Sequence, residues 1–68
     1  MGGFVIKDAE DLPLVLKARH VQEVLQLSKL KTYEVLHREG FPLVKIGRAY
    51  RVPRDAFFRW LAEQVEEN

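Results

Sequence analysis

Between residues 45 and 54 the chain carries Lys45, Arg48, Arg51 and Arg54, set among β-forming residues so that basic groups recur along one face. Ammonium and guanidinium groups at this density make charge-assisted hydrogen bonds to anionic oxygens. Upstream, Lys29, Tyr33 and His37 recur at every fourth residue, the spacing of one helix face. The chemistry these side chains offer is non-covalent recognition of a polyanion. Covalent chemistry has little to work with, because the chain holds one serine, one threonine and no cysteine. His20 and His37 lie far apart with no acidic residue at ligand spacing, so no metal site is expected. No glycine-rich phosphate loop is present, and no cofactor and no enzymatic activity are expected.

The distribution of charge sharpens this picture. The net charge is only +1, yet residues 29–54 hold seven Lys/Arg against two Asp/Glu, or +5. Residues 1–28 hold three against four, and residues 55–68 one against four. A basic middle between acidic flanks points to a nucleic-acid-facing surface. With 68 residues and 47% apolar content, one small domain with a real core is expected. A chain of this size buries only about 60% of its unfolded surface, so it is marginal alone. Without cysteine there is no disulfide framework. No apolar run reaches the ~18 residues of a membrane span, and the expected location is cytoplasmic.

These side chains need elements to position them. Residues 1–13 read as an irregular lead-in ending at Asp11-Leu12-Pro13, and the domain is expected over 14–68. Leu14 and Leu16 are expected to pack inward. Val21, Val24 and Leu25 mark a short amphipathic helix over 18–26, although Lys17 is a poor N-cap. Ser28 is placed to cap a second helix that runs to Gly40, with Thr32, Val35, Leu36 and Glu39 on its inner stripe. Two short helices joined by a tight turn make a helix-turn-helix.

A hairpin follows. Leu43-Val44-Lys45-Ile46 and Tyr50-Arg51-Val52 alternate at period two. Placing Val44, Ile46, Tyr50 and Val52 on the inner face pairs Ile46 with Tyr50 and leaves Gly47-Arg48-Ala49 as a three-residue loop. It also sets Lys45 opposite Arg51, a like-charge pair that a polyanion would relieve. Pro53 and Asp55 suit the start of a last helix, whose Phe57, Trp60, Leu61 and Gln64 form a core stripe widened by Phe58, Ala62 and Val65.

From Leu14 to Leu61 these stretches resemble the excisionase-type small winged helix-turn-helix family, related to the DNA-binding domains of mercury-resistance-type regulators. The carrying residues are His20-Val21-Gln22-Glu23-Val24-Leu25, Leu27-Ser28-Lys29 and Thr32-Tyr33-Glu34-Val35-Leu36-His37. Phe41-Pro42-Leu43-Val44-Lys45-Ile46-Gly47-Arg48, Tyr50-Arg51-Val52-Pro53-Arg54, Phe57 and Trp60-Leu61 complete them. Gln26 stands where the family has glycine, Lys17 where it has a Ser or Thr cap, and Gln22 where it has a small residue. The resemblance implies an α+β, mostly helical fold of about three helices and one two-stranded hairpin wing. It implies double-stranded DNA as ligand, with the second helix in the major groove and the wing on the backbone or in the minor groove. Many members are recombination directionality factors, which bend DNA or lie cooperatively along it so that an integrase excises. Others are short transcription regulators.

In that setting Ser28 caps the second helix or also meets a phosphate. Lys29 reaches guanine or phosphate, Tyr33 a phosphate or a thymine methyl unless it packs into the core, and His37 the backbone. Lys31 and Arg38 are flanking phosphate contacts or plain surface. Arg48 presents its guanidinium to a narrow minor groove, while Lys45, Arg51 and Arg54 hold phosphates. A module that binds an acidic protein partner through the same basic hairpin is the alternative from another class.

Overall fold

In a computed structural model that describes residues 9–65, a 3₁₀ turn, Ala9–Asp11, leads into strand β1, Val15–Leu16. Helix α1, Ala18–Leu25, and helix α2, Lys29–Leu36, follow. Strands β2, Val44–Ile46, and β3, Ala49–Pro53, form the hairpin, and helix α3, Arg54–Glu63, closes the chain. The expected helix-turn-helix and wing are both present, and the wing gains a third strand. β3 lies in the centre of an antiparallel sheet ordered β1-β3-β2. Leu16 pairs with Val52 and Val15 with Pro53, and both Leu16 and Val52 are fully buried.

The core forms where this sheet meets the helices. Val21 of α1, Leu36 of α2 and Phe57 of α3 converge on the Leu16–Val52 pair. Phe41 seals the far side, with its ring edge-on to Trp60 at 4.8 Å and 6.0 Å from Phe57. Leu12 is also buried, so the lead-in contributes to the core. Leu14, in contrast, is exposed: it lies just before β1, where its partner across the sheet, Arg54, already belongs to α3. In α3, Phe57 and Trp60 are buried while Ala62 is exposed, as is Val65 beyond the helix end. Truncating one buried Phe costs about 3–5 kcal/mol, whereas the exposed Lys31–Glu34 pair at 3.4 Å is worth about 0.5 kcal/mol at most. Aromatic packing, not surface charge, holds the fold.

The helix ends show how the sequence makes its turns. Ser28 Oγ accepts from the Lys31 N–H at 3.2 Å, and the hydroxyl of buried Thr32 donates to the Ser28 carbonyl at 2.8 Å. α2 ends at Leu36, one turn earlier than its spacing predicts. Arg38-Glu39-Gly40-Phe41 instead forms a turn closed by Phe41 N–H to Arg38 O at 3.1 Å. Gly40 takes φ +88 there, as the third residue of a type II turn requires. Lys17 has no acceptor to cap α1. His20 supplies the missing contact, its Nδ1 accepting the Lys17 N–H at 2.9 Å. At the other end of α1, Gln26 takes the left-handed φ of +56.

The hairpin register differs from the one predicted. Val44 pairs with Arg51, Lys45 with Tyr50 and Ile46 with Ala49, leaving only Gly47 and Arg48 as the loop. Gly47 has φ +60 and Arg48 stays at negative φ, the pattern of a type II′ turn. Such a turn matches the right-handed twist of the strands, whereas the three-residue loop would not form it. A shift of one residue exchanges the two faces. Tyr50 and Val52 therefore face the helices, while Val44 and Ile46 face outward with Arg51. Ile46 is 63% exposed. Lys45 and Arg51 lie on opposite faces, so the expected like-charge opposition is absent.

Two outcomes test these features. Gln26→Gly relieves left-handed strain and should stabilise the protein by about 0.5–1 kcal/mol in denaturant titration; an unchanged or lower midpoint contradicts the strain. Burial, then the charges of Arg19 and Lys17, hold the His20 imidazole below its ordinary pKa of 6.5. The unfolded chain then binds more protons than the folded one as pH falls through 6.5, so His20 withdraws stability in that window. His20→Gln keeps an acceptor at this position and should flatten the stability profile between about pH 7.5 and 5.5 relative to the parent. Parallel profiles would remove His20 from the acid response.

Candidate nucleic-acid interface

α2 presents the first half of the candidate surface. Thr32 and Leu36 face the core, which turns Lys29, Leu30, Tyr33 and Glu34 outward. Ser28 is exposed and is engaged as the N-cap, with Lys29 on the first turn beside it. His37 is the C-cap residue of α2. Its ring is fixed at both nitrogens. The Tyr33 carbonyl, 2.9 Å from Nδ1, can only accept, so Nδ1 carries a proton. In the neutral ring Nε2 then accepts from the Tyr50 hydroxyl at 3.3 Å.

The wing joins this surface through Tyr50. Its ring packs edge-on to His37 at 5.4 Å and lies 6.3 Å from Tyr33. Lys45 stands directly opposite Tyr50 and is exposed on the same face. Arg48 is exposed at the tip. Tyr33, His37, Tyr50 and Lys45 thus form one continuous band from helix to wing, with Lys29 at one end and Arg48 at the other. Tyr50 was not among the residues the sequence marked for the site. The glycine at the first position of a two-residue loop was the signal that would have placed it there.

The other basic candidates, Arg51, Arg54, Lys31 and Arg38, lie outside this band. Arg51 projects from the opposite face of the hairpin, half-buried, with Nη1 donating to its neighbour's carbonyl, Tyr50 O, at 2.8 Å. Arg54, expected at a phosphate, is turned into the frame. Its side chain is 17% exposed, Nη1 donates to Leu12 O at 3.0 Å, and Nε meets Asp55 Oδ1 at 3.2 Å. Its backbone N–H also donates to Leu14 O at 2.8 Å, extending the β1–β3 pairing. Lys31 leaves α2 on the side away from Tyr33 and pairs with Glu34. Arg38 is exposed in the turn after α2. No helix among the described residues is long and apolar enough to cross a membrane.

Helix-turn-helix, wing and basic band together define a class of DNA-binding domain. The chain belongs to the helix-turn-helix domain family, which matches residues 15–65 and is found in excisionase-like small DNA-binding proteins. Sequence-specific DNA binding comes with that membership, and the family's members are typically not enzymes. No match was found among curated proteins or solved structures.

The two tip-to-frame arginines should separate in a stability assay. Arg54→Ala removes a part-buried charged donor from Leu12 O and should lower unfolding free energy by about 1–2 kcal/mol. Arg48→Ala should stay within about 0.5 kcal/mol of the parent. Equal midpoints for the two variants would show that Arg54 has no structural role.

Proposed function

We propose that α2 enters the major groove of duplex DNA while the β2–β3 wing lies on the adjacent backbone, with Arg48 at a narrow minor groove. The observation that carries this reading is the continuous band from Lys29 through Tyr33, His37 and Tyr50 to Lys45, with Arg48 projecting beyond it. Lys29 and Tyr33 contact base edges and nearby phosphates, and His37 and Lys45 contact the backbone. Ser28 brings the N-terminus of α2 to a phosphate. Arg51, Lys31 and Arg38 supply flanking attraction, and Arg54 acts mainly through the frame.

The cellular role we propose is that of an accessory factor for site-specific recombination, an excisionase acting in the cytoplasm with an integrase and with other copies of itself on DNA. The support is the resemblance of the Lys-Ile-Gly-Arg and Tyr-Arg-Val-Pro-Arg hairpin to that family. A short transcription regulator uses the same surface. Footprinting on the ends of the element that encodes the chain, compared with footprinting on neighbouring promoters, separates the two roles.

Binding itself is tested by titration at fixed salt. Arg48→Ala should weaken duplex affinity by about 1–3 kcal/mol, and the parent's affinity should fall steeply as salt rises. Lys29→Ala and Tyr33→Ala should change sequence preference across a site library more than Arg51→Ala does. Unchanged affinity for the Arg48 variant removes the wing tip from the interface, and a uniform loss for all three others removes readout by α2.

A further inference from the structure

Leu30 is 71% exposed near the start of α2. One exposed leucine needs no explanation by itself. Its place on the helix is another matter. Leu30 stands two residues before buried Thr32, so the two side chains leave α2 on nearly opposite sides. It therefore marks the pole of α2 farthest from the core. Lys29 precedes it, and Tyr33 and Glu34 follow one turn on along the same surface. The Glu34 carboxylate is drawn toward Lys31 at 3.4 Å. An apolar side chain is thus set in the middle of a charged and aromatic face, on the N-terminal half of the helix. In domains of this class that half reaches base edges.

We propose that Leu30 is a specificity-determining residue that reads the C5 methyl group of thymine. This rests on the reading above that α2 occupies the major groove. Of the four bases, thymine alone presents an apolar group on the major-groove edge. An isobutyl group set against that methyl releases water from both. Set against a guanine, adenine or cytosine edge it offers no hydrogen bond and strips water from donors and acceptors left unpaired. Leu30 favours thymine by attraction and disfavours the other bases by desolvation.

The test uses the full chain and a duplex selected from a randomised pool. Each thymine of the selected duplex is replaced singly by deoxyuridine, which removes only the methyl group. One or two positions should weaken binding by about three- to tenfold. Leu30→Ala should bind the thymine duplex more weakly by a similar factor and bind both forms equally. Arg48→Ala should bind less tightly but still distinguish them. A selected site without thymine, parent binding indifferent to every deoxyuridine, or full discrimination retained by Leu30→Ala would each overturn the proposal while leaving DNA binding intact. Absence of salt-dependent duplex binding by the parent would overturn the groove reading, and this inference with it. Leu30 is solvent-facing, so its variant should keep the parent's unfolding midpoint, which is measured alongside.

Discussion

β3 has to satisfy two neighbours at once, and the rest of the protein follows from how it does so. Leu16 opposite Val52 commits one face of β3 to the core. Period-two alternation then sends Tyr50 to that same face and Arg51 and Pro53 to the other. The type II′ turn at Gly47-Arg48 decides which β2 residues stand opposite. Once both are set, Tyr50 must meet α2, Lys45 must stand beside it, and Val44 and Ile46 must face out. The helix-to-wing band is the outcome of a strand pairing made on the other side of the sheet.

The same constraint explains the sorting of the arginines. Arg48 at the turn is free of any strand face. Arg51 shares the outward face with Val15, Pro53, Val44 and Ile46, so its stem lies among apolar neighbours while its charge remains at the margin. Arg54 follows β3 directly, where the chain turns into α3 beside Leu12 and Leu14, and carbonyl groups there take its donors. Composition alone makes these three residues look equivalent. Their positions relative to the end of one strand make them different.

Much of this was legible in the sequence. Ser28 marks its helix start because a hydroxyl at that position answers a specific unpaired N–H. Val21, Leu36, Phe57 and Trp60 announce their burial by helical spacing, and the hairpin announces itself by alternation around Gly47. β1 was not legible, because two residues carry no periodicity and Leu14, Val15 and Leu16 are all apolar. The register was misread because four apolar residues on one face looked more favourable than two. That preference ignores the core's limited reach, which covers Tyr50 and Val52 but leaves Ile46 in solvent. The early end of α2 was hidden because Glu39 fits a helical stripe as readily as a turn. Of the candidate site, Lys29, Tyr33 and His37 share a surface because helical spacing is local. Arg54 departs because its partners, Leu12 and Leu14, lie far away in sequence.

The packing of Phe41, Phe57 and Trp60 has an optical consequence. Trp60 is the chain's single tryptophan, and among the described residues its aromatic neighbours are Phe41 and Phe57. None of them belongs to the basic band. Its fluorescence is therefore a built-in gauge of whether the core is intact, with no label to perturb a small protein. Tyrosine emission arises at Tyr33 and Tyr50, both within the band. In a domain this compact tyrosine passes its excitation on to tryptophan, so exciting Trp60 alone is what isolates the interior from the basic face.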